Sequence, residues 1–97
     1  MAQRLSAEEI NQRLKPLPDW SLVGDRIEKR FTFAAFMEAI GFVNRVAQRA
    51  EEADHHPEIT INYRKVLIQL STHSAGGLTS KDFELARTID AAAETPG

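Results

Sequence analysis

Three histidines carry most of the chemistry available to this chain: the adjacent pair His55 and His56, followed by Pro57, and the more distant His73. Imidazole has an ordinary pKa of about 6.5, so it exchanges protons near neutral pH and can also ligate a metal. Three readings stand side by side: surface histidines at element ends, a three-histidine metal site, and acid–base catalysis. Against the metal, no pair has helical i,i+4 spacing, and two of the ligands would be sequence neighbours facing apart. Pro57 holds His56 in extended geometry, so the two adjacent rings are expected to point in different directions. Carboxylates stand close by. Glu51 and Glu52 precede the pair in what reads as the last turn of a helix, where the macrodipole disfavours negative charge. A local rule broken beside two histidines points to function, although a solvated acidic helix end would also satisfy it. Asp82 follows Thr79 by three residues and has a complete structural explanation as a capping carboxylate; it is also free to orient a histidine. Trp20, the only tryptophan, reads as a core anchor or a ligand contact.

The elements that must position these residues are legible from caps and periodicity. Ser6 with Glu9 forms a capping box, Leu5 with Ile10 the matching staple, and Pro16 and Pro18 end a helix predicted over 7–14. Residues 20–23 and 26–33 read as strands around Gly24-Asp25, a hairpin signal. In the second strand Lys29 interrupts the apolar face of Ile27, Phe31 and Phe33, which predicts an edge or a solvated end. A helix follows over about 34–51, with Phe36, Ile40, Val43, Val46 or Ala47, and Ala50 as its apolar stripe. Gly41 within it predicts close approach of a neighbouring backbone. A second hairpin then pairs Ile59, Ile61 and Tyr63 with Val66, Ile68, Leu70 and Thr72, turning near Arg64-Lys65. Ser74-Ala75-Gly76-Gly77 reads as a flexible loop. The third helix starts from Thr79 as N-cap, with Asp82 at N3, Leu78 and Phe83 as its staple, and a face of Phe83, Ala86, Ile89 or Asp90, and Ala93. Thr95-Pro96-Gly97 ends it.

The order is α-β-β-α-β-β-α: an α+β fold with a four-stranded antiparallel sheet and three helices packed on one face. If the third and fourth strands form a hairpin, the start of one neighbours the end of the other. That brings His55, His56 and His73 to one end of the sheet.

Composition narrows the classes. Ninety-seven residues leave room for a single domain spanning 1–97, and a chain of this size buries only roughly 60–65% of its unfolded surface, so subunit association is expected. Without cysteine there is no disulfide, thiolate nucleophile or Cys-based metal centre. Twelve Lys and Arg against 14 Asp and Glu give a formal net charge of −2, which argues against nucleic-acid binding through a basic face. No apolar run approaches the ~20 residues of a membrane helix, and no signal peptide is visible, so the expected location is the cytoplasm.

The stretch Glu51-Glu52-Ala53-Asp54-His55-His56-Pro57-Glu58, with Tyr63, Leu70-Ser71-Thr72-His73, Gly77-Leu78-Thr79 and Asp82, resembles the pterin-4a-carbinolamine dehydratase family. Trp20 and the Phe31, Phe33, Phe36 run are similar to that family too, so the resemblance covers essentially the whole chain. It implies elimination of water from a 4a-hydroxytetrahydropterin to give quinonoid dihydropterin, in support of an aromatic amino acid hydroxylase. No metal or organic cofactor is implied. Carried over by position, His55 and His73 would be the acid–base groups and His56 would bind the pterin. Asp82 would support His73 or its neighbourhood, and Glu51 the His55 side. A homodimer or homotetramer is implied as well. The double glycine at 76–77 departs from the bulkier loop of animal members, which also serve as dimerisation cofactors for a homeodomain transcription factor. The alternative reading is therefore an oligomeric protein-binding module with a vestigial pocket.

Overall fold

The computed structural model describes residues 3–94. Its elements are α1 (Ala7–Leu14), β1 (Ser21–Val23), β2 (Arg26–Thr32), α2 (Phe36–Ala53), β3 (Glu58–Asn62), β4 (Lys65–Leu70) and α3 (Ser80–Glu94), the order read from the sequence. The chain start at Met1 and Ala2 and the expected stop at Thr95-Pro96-Gly97 lie outside the described residues.

The first cap forms as its residue types require. The Glu9 N–H donates to Ser6 Oγ at 3.2 Å, and the Ser6 N–H donates to Glu9 Oε1 at 2.9 Å. Leu5 and Ile10 then pack against the core, and the Leu5 N–H donates to the Leu78 carbonyl at 2.8 Å. The N-terminal segment is thereby tied to the loop that enters α3.

All strands are antiparallel in the order β1-β2-β4-β3. One face buries Ile27, Phe31, Val66, Ile68 and Leu70. The alternate positions Glu28, Arg30, Leu67 and Gln69 lie on the other face and remain partly or fully exposed. β2 is an inner strand and the Lys29 side chain is only 18% exposed, so it marks neither the edge nor the solvated end that was expected. The lysine is accommodated because Asp90 of α3 lies 2.8 Å from its Nζ, and the ammonium also sits 4.6 Å over the Phe31 ring. The same carboxylate accepts from Trp20 Nε1 at 3.1 Å. The edge beside β4 is β3, whose Ile61, opposite Val66, is still exposed at that edge. Its turn is centred one residue earlier than expected, with Tyr63 in the left-handed region at φ 56°.

The buried face of α2 is rotated from the expected stripe. Ala39, Phe42, Val46 and Ala50 are buried, whereas Phe36 is 44% exposed and Ala47 is exposed. The physical reason lies in the sheet: the rings of Phe31 and Phe33 stand 4.7 and 5.0 Å from Phe42, so the helix turns that residue inward. Gly41 has no backbone against it; a Cβ there would meet only Arg45 Nη1, at 3.5 Å. On α3 the residues Phe83, Leu85, Ala86, Ile89 and Ala92 close the core, and Arg45 Nε ties α2 to the Ala92 carbonyl at 3.0 Å.

Candidate functional site

Local folding sets the direction of each histidine. α2 ends with Asp54 in the left-handed conformation, φ 50° and ψ 44°, a state short polar residues tolerate. The His55 N–H reaches back to the Ala50 carbonyl at 3.1 Å and the Asp54 N–H to Glu51 at 3.2 Å, the paired bonds of a Schellman ending. This reversal aims His55 at the first turn of α3, and Pro57 sends His56 the other way into the start of β3.

The two rings accordingly have different partners. His55 Nε2 lies 2.6 Å from Asp82 Oδ1, with the His55 side chain 11% exposed and Asp82 fully buried. His56 Nε2 lies 2.5 Å from Glu51 Oε2 with both groups open to solvent. The expectation put Asp82 with His73 or its neighbourhood and Glu51 on the His55 side; in the structure Asp82 pairs with His55 and also accepts from Thr72, next to His73, while Glu51 pairs with His56. Asp82 sits in the first turn of α3 directly under the chain reversal, so it meets the residue that the reversal turns inward. Glu51, one helical turn before the reversal, reaches over it to His56. Glu52, the other acid at that helix end, pairs with Arg49 at 3.1 Å.

His73 arrives from the other strand. Glu58 pairs with Gln69 at the end of the β3–β4 ladder, so the residues just beyond each strand, His56 and His73, come together. They line one cavity of about 370 Å³ with Asp25, Arg26, Glu58, Gln69, Leu70 and Ser71. Its wall is braced by ion pairing of Arg26 Nη1 with Glu58 Oε2 at 3.3 Å and by Gln69 Nε2 donating to Glu28 Oε1 at 3.0 Å. His55 instead borders a cleft of about 430 Å³ between α2 and α3, with Arg49, Glu52, Lys81, Glu84, Leu85 and Thr88. The segment expected as a flexible loop is a 3₁₀ turn, His73–Ala75, closed by hydrogen bonds between Thr72 and Gly77. A Cβ on Gly77 would stand 2.9 Å from Arg4 Nε, so the second glycine lets the N-terminal segment lie against this turn.

Trp20 is not brought to the histidines. It is 4% exposed, lies edge-on to Phe31 and is bound to Asp90, and it lines neither opening. Two residues escape sequence reasoning as site groups: Thr72, buried between β4 and His73, and Thr79, which reads only as a cap. Both bond to Asp82 or to each other in the buried layer under His55. Asp25 is legible only as a turn residue and Arg26 only as the start of a strand, because the cavity wall they form requires β2 to lie beside β4. Among the described residues no group of three or more potential ligands is placed to hold a metal ion.

This frame, with its histidine pair after α2 and its third histidine after β4, coincides with a known family. The family model for pterin 4 alpha carbinolamine dehydratase matches residues 3–92. The chain belongs to the pterin-4a-carbinolamine dehydratase family. A Picosynechococcus relative named "Putative pterin-4-alpha-carbinolamine dehydratase" is 54% identical over 90 residues, covering 93% of this chain and 98% of its own. A protein of the same name from Sulfurisphaera tokodaii is 47% identical over 88 residues, covering 91% and 95%. Among solved structures, a transcriptional coactivator/pterin dehydratase from Brucella melitensis superposes with a TM-score of 0.90 at 39% identity, over 94% of this chain and 99% of that one. A pterin dehydratase-like RuBisCO assembly factor of the alpha-carboxysome shares the fold, with a TM-score of 0.65 at 24% identity over 79% and 89%. No helix among the described residues is long and apolar enough to cross a membrane.

Proposed function

We propose that this member of the family eliminates water from a 4a-hydroxytetrahydropterin to give the quinonoid dihydropterin. The observation that carries the reading is the meeting of His56 and His73 across one cavity of about 370 Å³, with His55 held on a buried carboxylate at the same end of the sheet. In the reaction the C4a–O bond breaks and the hydroxyl leaves as water after accepting a proton. The N5–H proton is lost to a base, and the C4a=N5 double bond forms. One proton is given and one taken, so two imidazoles suffice with no change of oxidation state. The two transfers fall to His73, which opens onto the cavity, and to His55, which borders the neighbouring cleft at the same end of the sheet and whose Asp82 supplies the counter-charge for an imidazolium. His56, held by Glu51, grips the ring from the cavity wall. The product feeds a reductase that restores the pterin for an aromatic amino acid hydroxylase.

The test follows the decay of carbinolamine absorbance in a hydroxylase-coupled assay with wild-type, His55→Ala and His73→Ala proteins. Faster decay with wild type that is largely lost in both variants supports the assignment. Decay at the spontaneous rate with wild-type protein overturns it.

A second reading has its own observation. Phe36 and Tyr63 stack at 6.4 Å on the surface, and Met37 beside them is 72% exposed. Contiguous exposed apolar side chains of this kind serve association. We propose that the chain is a homodimer or homotetramer in the cytoplasm. The Brucella melitensis relative is named both a coactivator and a dehydratase, and a protein-docking role for an assembly of this kind is the alternative to the enzyme. Light scattering of Met37→Glu against wild type tests the assembly; an unchanged mass would remove this patch from it.

A further inference from the structure

The layer beneath His55 is a chain of hydrogen bonds whose direction is settled by counting hydrogens. The Thr79 N–H donates to Asp82 Oδ2 at 2.9 Å, and the Thr72 hydroxyl donates to the same oxygen at 2.8 Å. The two threonine hydroxyls lie 2.7 Å apart. A hydroxyl has one hydrogen. Thr72 has placed its hydrogen on Asp82, so the contact between the hydroxyls is donated by Thr79. Thr79 Oγ1 in turn accepts from the Lys81 N–H at 3.3 Å. The donors run Lys81 N–H, Thr79 O–H, Thr72 O–H, and the chain ends on the Asp82 carboxylate as acceptor. Both lone pairs of Oδ2 are occupied, and no buried side-chain polar atom among the described residues is left without a partner. The carboxylate has one oxygen left, Oδ1, and it faces His55 Nε2 at 2.6 Å.

We propose that Thr72 and Thr79 are positioning residues: they lock Asp82 as an acceptor and through it hold His55 as the Nε2–H tautomer, leaving Nδ1 as the nitrogen that gives and takes protons. With Oδ2 saturated by two donors, the hydrogen of the Asp82–His55 contact belongs to the imidazole, and the ring cannot flip its tautomer without stranding a buried carboxylate oxygen. The other charged groups facing His55, Arg49 and Glu52 from α2 and Lys81 and Glu84 from α3, border the solvent-open cleft. Asp82 alone among them is fully buried. Thr72 has a second tie. Its backbone bonds to Gly77 close the turn that carries His73, so one residue sets both the partner of His55 and the base of His73.

The tautomer is read by long-range proton–nitrogen correlation of the imidazoles in the wild-type protein at a pH where His55 is neutral. An Nε2–H pattern at His55 supports the proposal, and an Nδ1–H pattern overturns it. Thr72→Val removes the hydroxyl at nearly constant volume. It is expected to move the His55 ring-nitrogen shifts toward a mixture and lower kcat about tenfold while KM stays within about twofold, the size typical of losing a partner that orients a working ring. Thr72→Ser keeps the hydroxyl and restores both. Unchanged ring shifts in a folded Thr72→Val protein, or no rescue by serine, overturn the positioning role. Should Thr72→Val not fold, Thr72→Ala deletes the same donor to Asp82 with the same expected shifts, and the wild-type spectrum decides the tautomer regardless. The kcat measurement rests on the dehydratase reading and the nitrogen shifts do not. A protein with the Nε2–H pattern and no dehydration would sink that reading alone.

Discussion

Asp82 Oδ1 lies 2.6 Å from His55 Nε2, and the same carboxylate caps the first turn of α3 through its other oxygen, 2.9 Å from the Thr79 N–H. One buried group therefore does two things that sequence reading treats as alternatives. Its helix-capping role supplies the rigidity, and the pairing with the imidazole carries that rigidity into the candidate site.

Removing Asp82 is expected to hurt stability as well as activity. Asp82→Ala strands the Thr79 N–H, the Thr72 hydroxyl and the His55 ring in a closed environment, an expected loss of about 3 kcal/mol. Urea unfolding measures it. A loss under about 1 kcal/mol would mean that water enters and replaces the carboxylate.

Glu51 predicts the opposite separation. Its pair with His56 is open to solvent, 76% and 57% exposed, so Glu51→Gln is expected to change stability by less than about 1 kcal/mol. If His56 grips the pterin as proposed, the effect of Glu51→Gln is a raised KM with kcat little altered. Steady-state kinetics at constant ionic strength distinguishes this from a loss of kcat, which would give Glu51 a part in proton transfer.

The rotation of α2 has a direct consequence for two phenylalanines on one helix. Phe42→Ala removes a fully buried ring that contacts Phe31 and Phe33, and is expected to cost about 3–5 kcal/mol. Phe36→Ala removes a half-exposed ring whose aromatic contact is Tyr63, and is expected to cost well under half of that. Thermal midpoints of the two variants check the order, and equal effects would contradict the orientation of α2.

The α1 capping box makes folding sensitive to acid. The Ser6 backbone N–H, then the Ser6 hydroxyl, hold the Glu9 carboxyl below its ordinary value of 4.5. A folded-state value depressed below the unfolded one gives stability that is fully present above 4.5 and lost as the pH falls through the folded value. Glu9→Gln keeps a side chain that can accept from Ser6 and removes the titration. Its stability is expected to fall less than that of wild type between neutral pH and about pH 3. Parallel curves for the two proteins would exclude a contribution from Glu9.

What the sequence determined by itself was local. Ser6 with Glu9 and Thr79 with Asp82 announce helix starts because capping needs residues three apart on one chain. The alternation through Val66, Ile68 and Leu70 announces a strand because side chains alternate across a pleat. The neighbourhood of His56 and His73 followed from antiparallel pairing alone, and the opposed directions of His55 and His56 from Pro57. Tertiary structure decided the rest. Lys29 looked like an edge residue until Asp90 arrived from α3, 61 positions away. The α2 stripe was expected to run through Phe36, Ile40 and Val43, and the rings of Phe31 and Phe33 selected Phe42 instead. Which carboxylate serves which histidine was settled by the left-handed Asp54, which turns His55 under α3 and leaves His56 to Glu51. A single chain pattern encodes periods and caps, because these depend on residues within one or two turns. It does not encode which face meets which partner, because that choice minimises buried, unpaired charge and empty volume over the whole fold at once.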